Sequence, residues 1–361
     1  MWRYMIGCDV QVRIGSRQGQ GTLMTLHYRD AGFLKAIPKH LHAQHELCFI
    51  VHDQMSHLLQ QAEMNRLHHI KIELRDESES EFFSSPSADV FEFFEKFGRT
   101  EEKERLVRNH LCIALFSDML HFIFEFLTCL ERRKVTVAYC LLRKPLRENL
   151  FYAAWMLAEW ESFFYLFTQE SVKLSLQRAG ANRLAIFKRA VEGLALGGKI
   201  DVEELYRAIN DKKYPGGLRN IFDKATHLVT THEGLQNFNF IFKDPMDNNS
   251  YESIYPIVYR SLLFALSIQI ELFSKMEDIR PSYENSAIMK ILTAEEYAFK
   301  ASASHVSRAL SRAFSPFLRC PDCQAGLKQW AADLPGLPID FIGNFGALCG
   351  SEIKSWCHVN H

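Results

Sequence analysis

The chain has 361 residues, 47% hydrophobic and 24% charged, enough to fold around a sizeable core and too apolar for wholesale disorder. Its 42 basic and 43 acidic residues nearly cancel, so it lacks the global positive field behind non-specific nucleic-acid binding. No signal-peptide pattern follows Met1, and the longest apolar stretch, 111–130, is interrupted by Asp118, His121 and Glu125. These polar groups would be costly in hydrocarbon, so the expectation is a buried helix of a soluble protein, with no membrane partner.

In chain order, residues 1–35 mix Gly, Arg and Gln and read as a loose lead-in. A helical period begins near Lys39 and runs to Leu67. Residues 76–89 are acidic and serine-rich around Pro86 and read as a surface loop. Residues 101–130 form one long expected helix, with Glu101, Glu102 and Glu104 at its positive end and Arg132, Arg133 and Lys134 at the other. Residues 135–141 have some β character, but their flanks favour helix. Pro145 breaks or opens the next element, and residues 146–168 read as a single aromatic-rich helix. Asp201 suits the N-cap of a short helix over 202–209. A polar loop at 244–250 precedes an apolar helix over 255–277, and a further helix runs from Thr293 to about Ser315, where Pro316 stops it. The fold class is therefore all-α. Residues 36–315 form a large multi-helix domain, or two subdomains meeting near residues 135–145, and residues 316–361 form a small C-terminal module.

That module holds four of the nine cysteines: Cys320, Cys323, Cys349 and Cys357. The two-residue gap of Cys320-Pro321-Asp322-Cys323 lets two thiolates grip one tetrahedral metal from a tight turn. Cys349 and Cys357, eight apart, would lie about 12 Å apart along a regular helix, so the chain between them must fold back. Alternatively, His358 or His361 replaces one cysteine. The stretch resembles zinc ribbons and knuckles, which implies a structural Zn2+ ion with four protein ligands and no open position. The other cysteines are scattered in apolar surroundings, so no disulfide framework is expected and the cytoplasm is the expected compartment.

Three further groups have the residue types for chemistry. His40, His42, His45 and His52 crowd a short region beside Glu46 and Asp53, while Asp118, His121 and Glu125 line one helical stripe, which reads as its wet edge. Arg143, Lys144 and Arg147 gather three cations at an expected helix start, a setting for an anion. Arg105 and His110 have the R-x4-H spacing of HEPN-type ribonucleases. That resemblance implies RNA cleavage in which the pair positions and protonates phosphate-ester oxygens across a dimer. No phosphate-binding loop, dinucleotide fingerprint or nucleophile elbow is present. The leading expectation is a helical interaction protein with a structural zinc, engaging a protein partner or a second copy of itself. The alternatives are nucleic-acid binding through the C-terminal module (Arg308, Arg312, Arg319, Lys328 and Lys354), and the HEPN-like ribonuclease.

Overall fold

The computed structural model describes residues 33–85, 88–169, 182–194, 200–226 and 248–276. All regular structure among them is helical. Two short 3-10 turns, Phe33–Ala36 and Lys39–Leu41, lead into α1 (His42–Met64). Then come α2 (Glu77–Phe83), α3 (Val90–Phe97), α4 (Thr100–Glu131), α5 (Val135–Lys144), a π-helical segment (Pro145–Asn149), α6 (Leu150–Ala158) and α7 (Trp160–Gln169). The last four are α8 (Arg183–Val191), α9 (Val202–Asn210), α10 (Leu218–Thr226) and α11 (Asn248–Ser274).

From Gln44 to Met55 every residue of α1 is buried, so α1 is central rather than amphipathic. It packs between α4 and α11. Helix α5 packs on both α4 and α10, while α6 packs on α8 and α11. One continuous apolar core links these helices from Leu34 to Met276, with Phe116, Phe126, Phe151, Phe222 and Phe264 fully enclosed. Both α4 and α11 are long and apolar enough, by length and composition, to cross a membrane. The apolar window of α11 is 72% buried among other helices, so the core accounts for its composition.

Four local readings of the sequence are corrected. Residues 76–89 are not one loop. Asp76 accepts a hydrogen bond from Glu79 N and starts α2, and Asp89 accepts from Phe91 N and Glu92 N and starts α3. Asp76 and Asp89 act as caps, which satisfy orphan donors of a helix start. Residues 146–168 are not a single helix, because the chain turns at Glu159 between α6 and α7. The turn lays Phe163 edge-on against Trp155, with ring centroids 5.4 Å apart, and Glu159 pairs with Arg189 of α8. The apolar helix ending near Ser274 begins at Asn248, within the expected polar loop, and carries Pro256 inside it. Pro145, finally, does not interrupt the helix; its effect is described with the site below.

Helix ends close by regular means. After α4 the Lys134 N–H bonds Cys129 O and the Arg133 N–H bonds Leu130 O, with Arg133 left-handed at φ 53°. Arg66 (φ 53°) ends α1 in the same way, with Leu67 N bonded to Ala62 O and the Leu67 side chain buried. Arg99 ties α2 and α3 to α4, donating to both Glu79 oxygens at 3.0 and 2.6 Å, to Glu102 at 2.6 Å and to Glu73 O at 2.7 Å. These bonds from Arg99, ahead of all other causes, hold the Glu79 carboxyl below the usual range.

Candidate anion-binding site

Pro145 has no N–H to give to residue 141, and its ring presses on that carbonyl, so a plain α-helix would kink there. Instead the helix widens. The Leu150 N–H bonds Pro145 O five residues back, and α5, the π segment and α6 run on without a break. The expected helix start at Pro145 is therefore absent, and no set of free N-terminal N–H groups supplies positive potential at this point. Side chains supply it instead.

Of the three cations expected to bind an anion, Lys144 goes elsewhere. Its Nζ lies 2.8 Å from Asp118 Oδ1 and 4.7 Å from the centre of the Phe122 ring, and Asn149 donates to the other Asp118 oxygen at 2.7 Å. Arg147 feels the charge of Arg143 and of two arginines from distant sequence, Arg183 at the start of α8 and Arg219 at the start of α10. Burial first, and then the charges of Arg219, Arg143 and Arg183, push the Arg147 guanidinium down to about 10, while Asp223 acts in the opposite sense. At neutral pH it is still a cation. Its Nε is buried and makes no hydrogen bond. Asp223, the carboxylate beside it, is shared at 3.4 Å by Lys212 and Arg219. The Arg183 guanidinium carbon lies 4.5 Å from the centre of the Phe151 ring, a cation–π contact. Asp223 is thus paired with Arg219 and Lys212, while Arg147 carries like charge on several sides, a setting that favours an anion.

The other candidates stay apart. Positions five residues apart on a helix differ by about 140° in direction. Consistent with that, Arg105 Nε is buried while His110 is exposed, its Nδ1–H donating to Leu106 O at 2.9 Å. His110 lies instead beside His68, with ring centroids 6.2 Å apart, and His68 lies beside His69 at 4.1 Å. Burial, then His69 and His110, lower the His68 pKa. The folded state therefore favours neutral His68, a contribution held above the unfolded value of ~6.5 and lost as pH falls through it. The melting temperature of the wild type is expected to fall more steeply than that of His68→Gln as pH drops from about 7 to about 5.5. Parallel curves would remove the effect.

The histidines of the first helix also diverge. His40 meets Glu252 at 2.7 Å, His42 meets Ile37 O at 2.9 Å and His52 meets Leu120 O at 3.2 Å. His45, wholly buried, joins Glu131 through Nε2 and Tyr255 through Nδ1, both at 3.0 Å. His121 and Glu125 are exposed along one edge of α4. Among the described residues no group of three or more His, Cys, Asp or Glu side chains is placed to hold a metal ion. Cys320, Cys323, Cys349, Cys357, His358 and His361 lie outside the described residues, as does the helix expected from Thr293.

Arg183 and Arg219 escaped the sequence reading because nothing near them in the chain marks them as partners of Arg147. Comparison with known proteins finds no match: no family model, no curated protein and no solved structure is similar to this chain.

Proposed function

We propose that this chain is a helical interaction protein that recognises an anionic group at the cluster of Arg143, Arg147, Arg183 and Arg219. One observation carries the reading. Arg147 is held among like charges, with its Nε buried and without a hydrogen bond, although such crowding destabilises the free protein. A bound anion turns that cost into attraction. The structural zinc expected at Cys320, Cys323, Cys349 and Cys357, a protein partner or second copy, and a cytoplasmic location belong to the same proposal.

Removing a residue that only supports the fold lowers stability, whereas removing a crowded recognition residue does not. Arg147→Met is expected to leave the melting temperature unchanged or raised in chloride buffer. It is also expected to abolish the extra rise that inorganic phosphate gives the wild type at equal ionic strength. The variant serves as the reference because phosphate also stabilises proteins non-specifically. Equal phosphate-induced rises in both proteins, read by calorimetry, would remove the proposal.

A further inference from the structure

A cleft of about 180 Å³ opens between α9, the turn that follows it and α11, and none of its walls belongs to the arginine cluster. Its apolar lining is Leu205 and Ala208, both buried, with Pro256 and Ile257, both half-buried. Its polar lining includes Tyr214 and Arg260, half-buried, and Glu204, exposed. The cleft therefore passes from a charged mouth to an apolar floor.

One wall is fixed by the local sequence. Gly217 N–H donates to Tyr214 O at 3.0 Å, with Pro215 and Gly216 as the central residues and Gly216 left-handed at φ 70°. That is a type II turn, in which proline presets the first central position and glycine takes the second without strain. Gly217 is equally constrained, since a Cβ there would stand 3.0 Å from Tyr214 O and 3.1 Å from Ala208 O. A wall shaped in advance leaves little ordering cost for binding.

The mouth carries both signs of charge. Tyr214 donates its hydroxyl to Glu204 Oε1 at 3.1 Å, and Glu204 Oε2 lies 3.6 Å from Arg260 Nη1. Burial first, and then the bond to Glu204, raise the Tyr214 pKa, so the phenol stays a donor at neutral pH. The Glu204–Arg260 separation is too long for a good hydrogen bond, and both side chains reach water, so the pair opens at little cost.

We propose that this cleft binds a free α-amino acid with a mid-sized aliphatic side chain. Its ammonium meets Glu204, its carboxylate meets Arg260, and its side chain lies against Leu205, Ala208, Pro256 and Ile257. A lone anion would also face Glu204, and a lone cation would also face Arg260. A group with both charges on one carbon satisfies the two together. Size points the same way. A cavity of ~150 Å³ holds a benzene-sized molecule, whereas sites for drug-sized ligands take ~300–1,000 Å³. A branched aliphatic chain fits that range, and a nucleotide does not.

The test is calorimetric titration of the full chain at neutral pH. The probes are L-leucine, 4-methylpentanoate (leucine without its amine), 3-methylbutylamine (leucine without its carboxylate) and L-tryptophan. Leucine is expected to bind at least about tenfold more tightly than either singly charged analogue. Glu204→Gln should bind leucine no more tightly than the wild type binds the acid, and Arg260→Met no more tightly than it binds the amine. Both positions reach solvent, so unchanged melting temperatures are expected and verify that the variants fold. Wild-type affinity for leucine in both variants, or equal affinity for leucine and either analogue, overturns the proposal. Tryptophan bound as tightly as leucine overturns the assignment to this cavity, and so does a wild type that does not bind leucine. Leucinamide or N-acetyl-leucine bound as tightly as leucine overturns the free amino acid in favour of a peptide end.

Discussion

Replacing Glu131 with Ala is expected to lower the unfolding free energy by about 3–5 kcal/mol, the usual cost of breaking a buried ionic or strongly hydrogen-bonded pair from one side. Glu131 is the last residue of α4, and its side chain is 1% exposed. It accepts the Nε2–H of His45, and His45 Nδ1 in turn accepts the hydroxyl of Tyr255, so α4, α1 and α11 are tied through one imidazole. Burial, ahead of all other causes, raises the Tyr255 pKa well above its ordinary value, which keeps the phenol protonated and able to donate. Both ring nitrogens of His45 are thus engaged, Nε2 by the carboxylate and Nδ1 by the phenol. Removing the carboxylate leaves the Nε2–H buried without its acceptor and opens a gap at the end of α4. Tyr255→Phe removes only the last hydroxyl and is expected to cost about 1–3 kcal/mol. In combination with Glu131→Ala the effects should be less than additive, because both act through His45. Urea unfolding with an unchanged slope is the measurement. A loss below about 1 kcal/mol for Glu131→Ala would mean the imidazole does not tie the three helices.

The second large effect is expected at Phe151, where Phe151→Ala should cost about 3–5 kcal/mol and weaken anion binding together. Phe151 is wholly buried, its ring 5.7 Å from Trp155 and 6.0 Å from Phe187, which itself stands 5.6 Å from Phe264 of α11. The ring also carries Arg183, 4.5 Å from its centre. The residue therefore connects the core to the arginine cluster, and truncating it leaves a cavity and frees Arg183 to reorient. For comparison, Phe83→Ala, at a ring 41% exposed, should change stability by about 0.5 kcal/mol or less. Phosphate titration of Phe151→Ala at a temperature where it is folded separates the two consequences. Wild-type affinity in the variant would show that the ring serves packing alone.

Where the signal is local, residues and structure agree. The long helix expected over residues 101–130 is α4, and Asp201 does cap the helix that follows it, accepting from Glu204 N. Charge at the ends of α4 and a side chain three residues from its backbone partner are both contained in a few consecutive residues. The reading failed where two local rules compete. An acidic, serine-rich run suits both a loop and a pair of N-caps, and Asp76 and Asp89 are caps. A proline suits both a helix break and a tolerated kink, and Pro145 sits within a helix that widens into a π segment around it.

By itself the sequence determined the helical fold class and the placement of the main helices in the described chain, because periodicity, caps and end charges act within a turn or two. Only the tertiary structure decided that Lys144 belongs to Asp118, that Arg183 and Arg219 join Arg147, and that His45 belongs with Glu131 and Tyr255. These partners lie on helices separated by long stretches of chain. Coulomb and hydrogen-bond energies depend on distance in space, which packing creates and no spacing along the chain records.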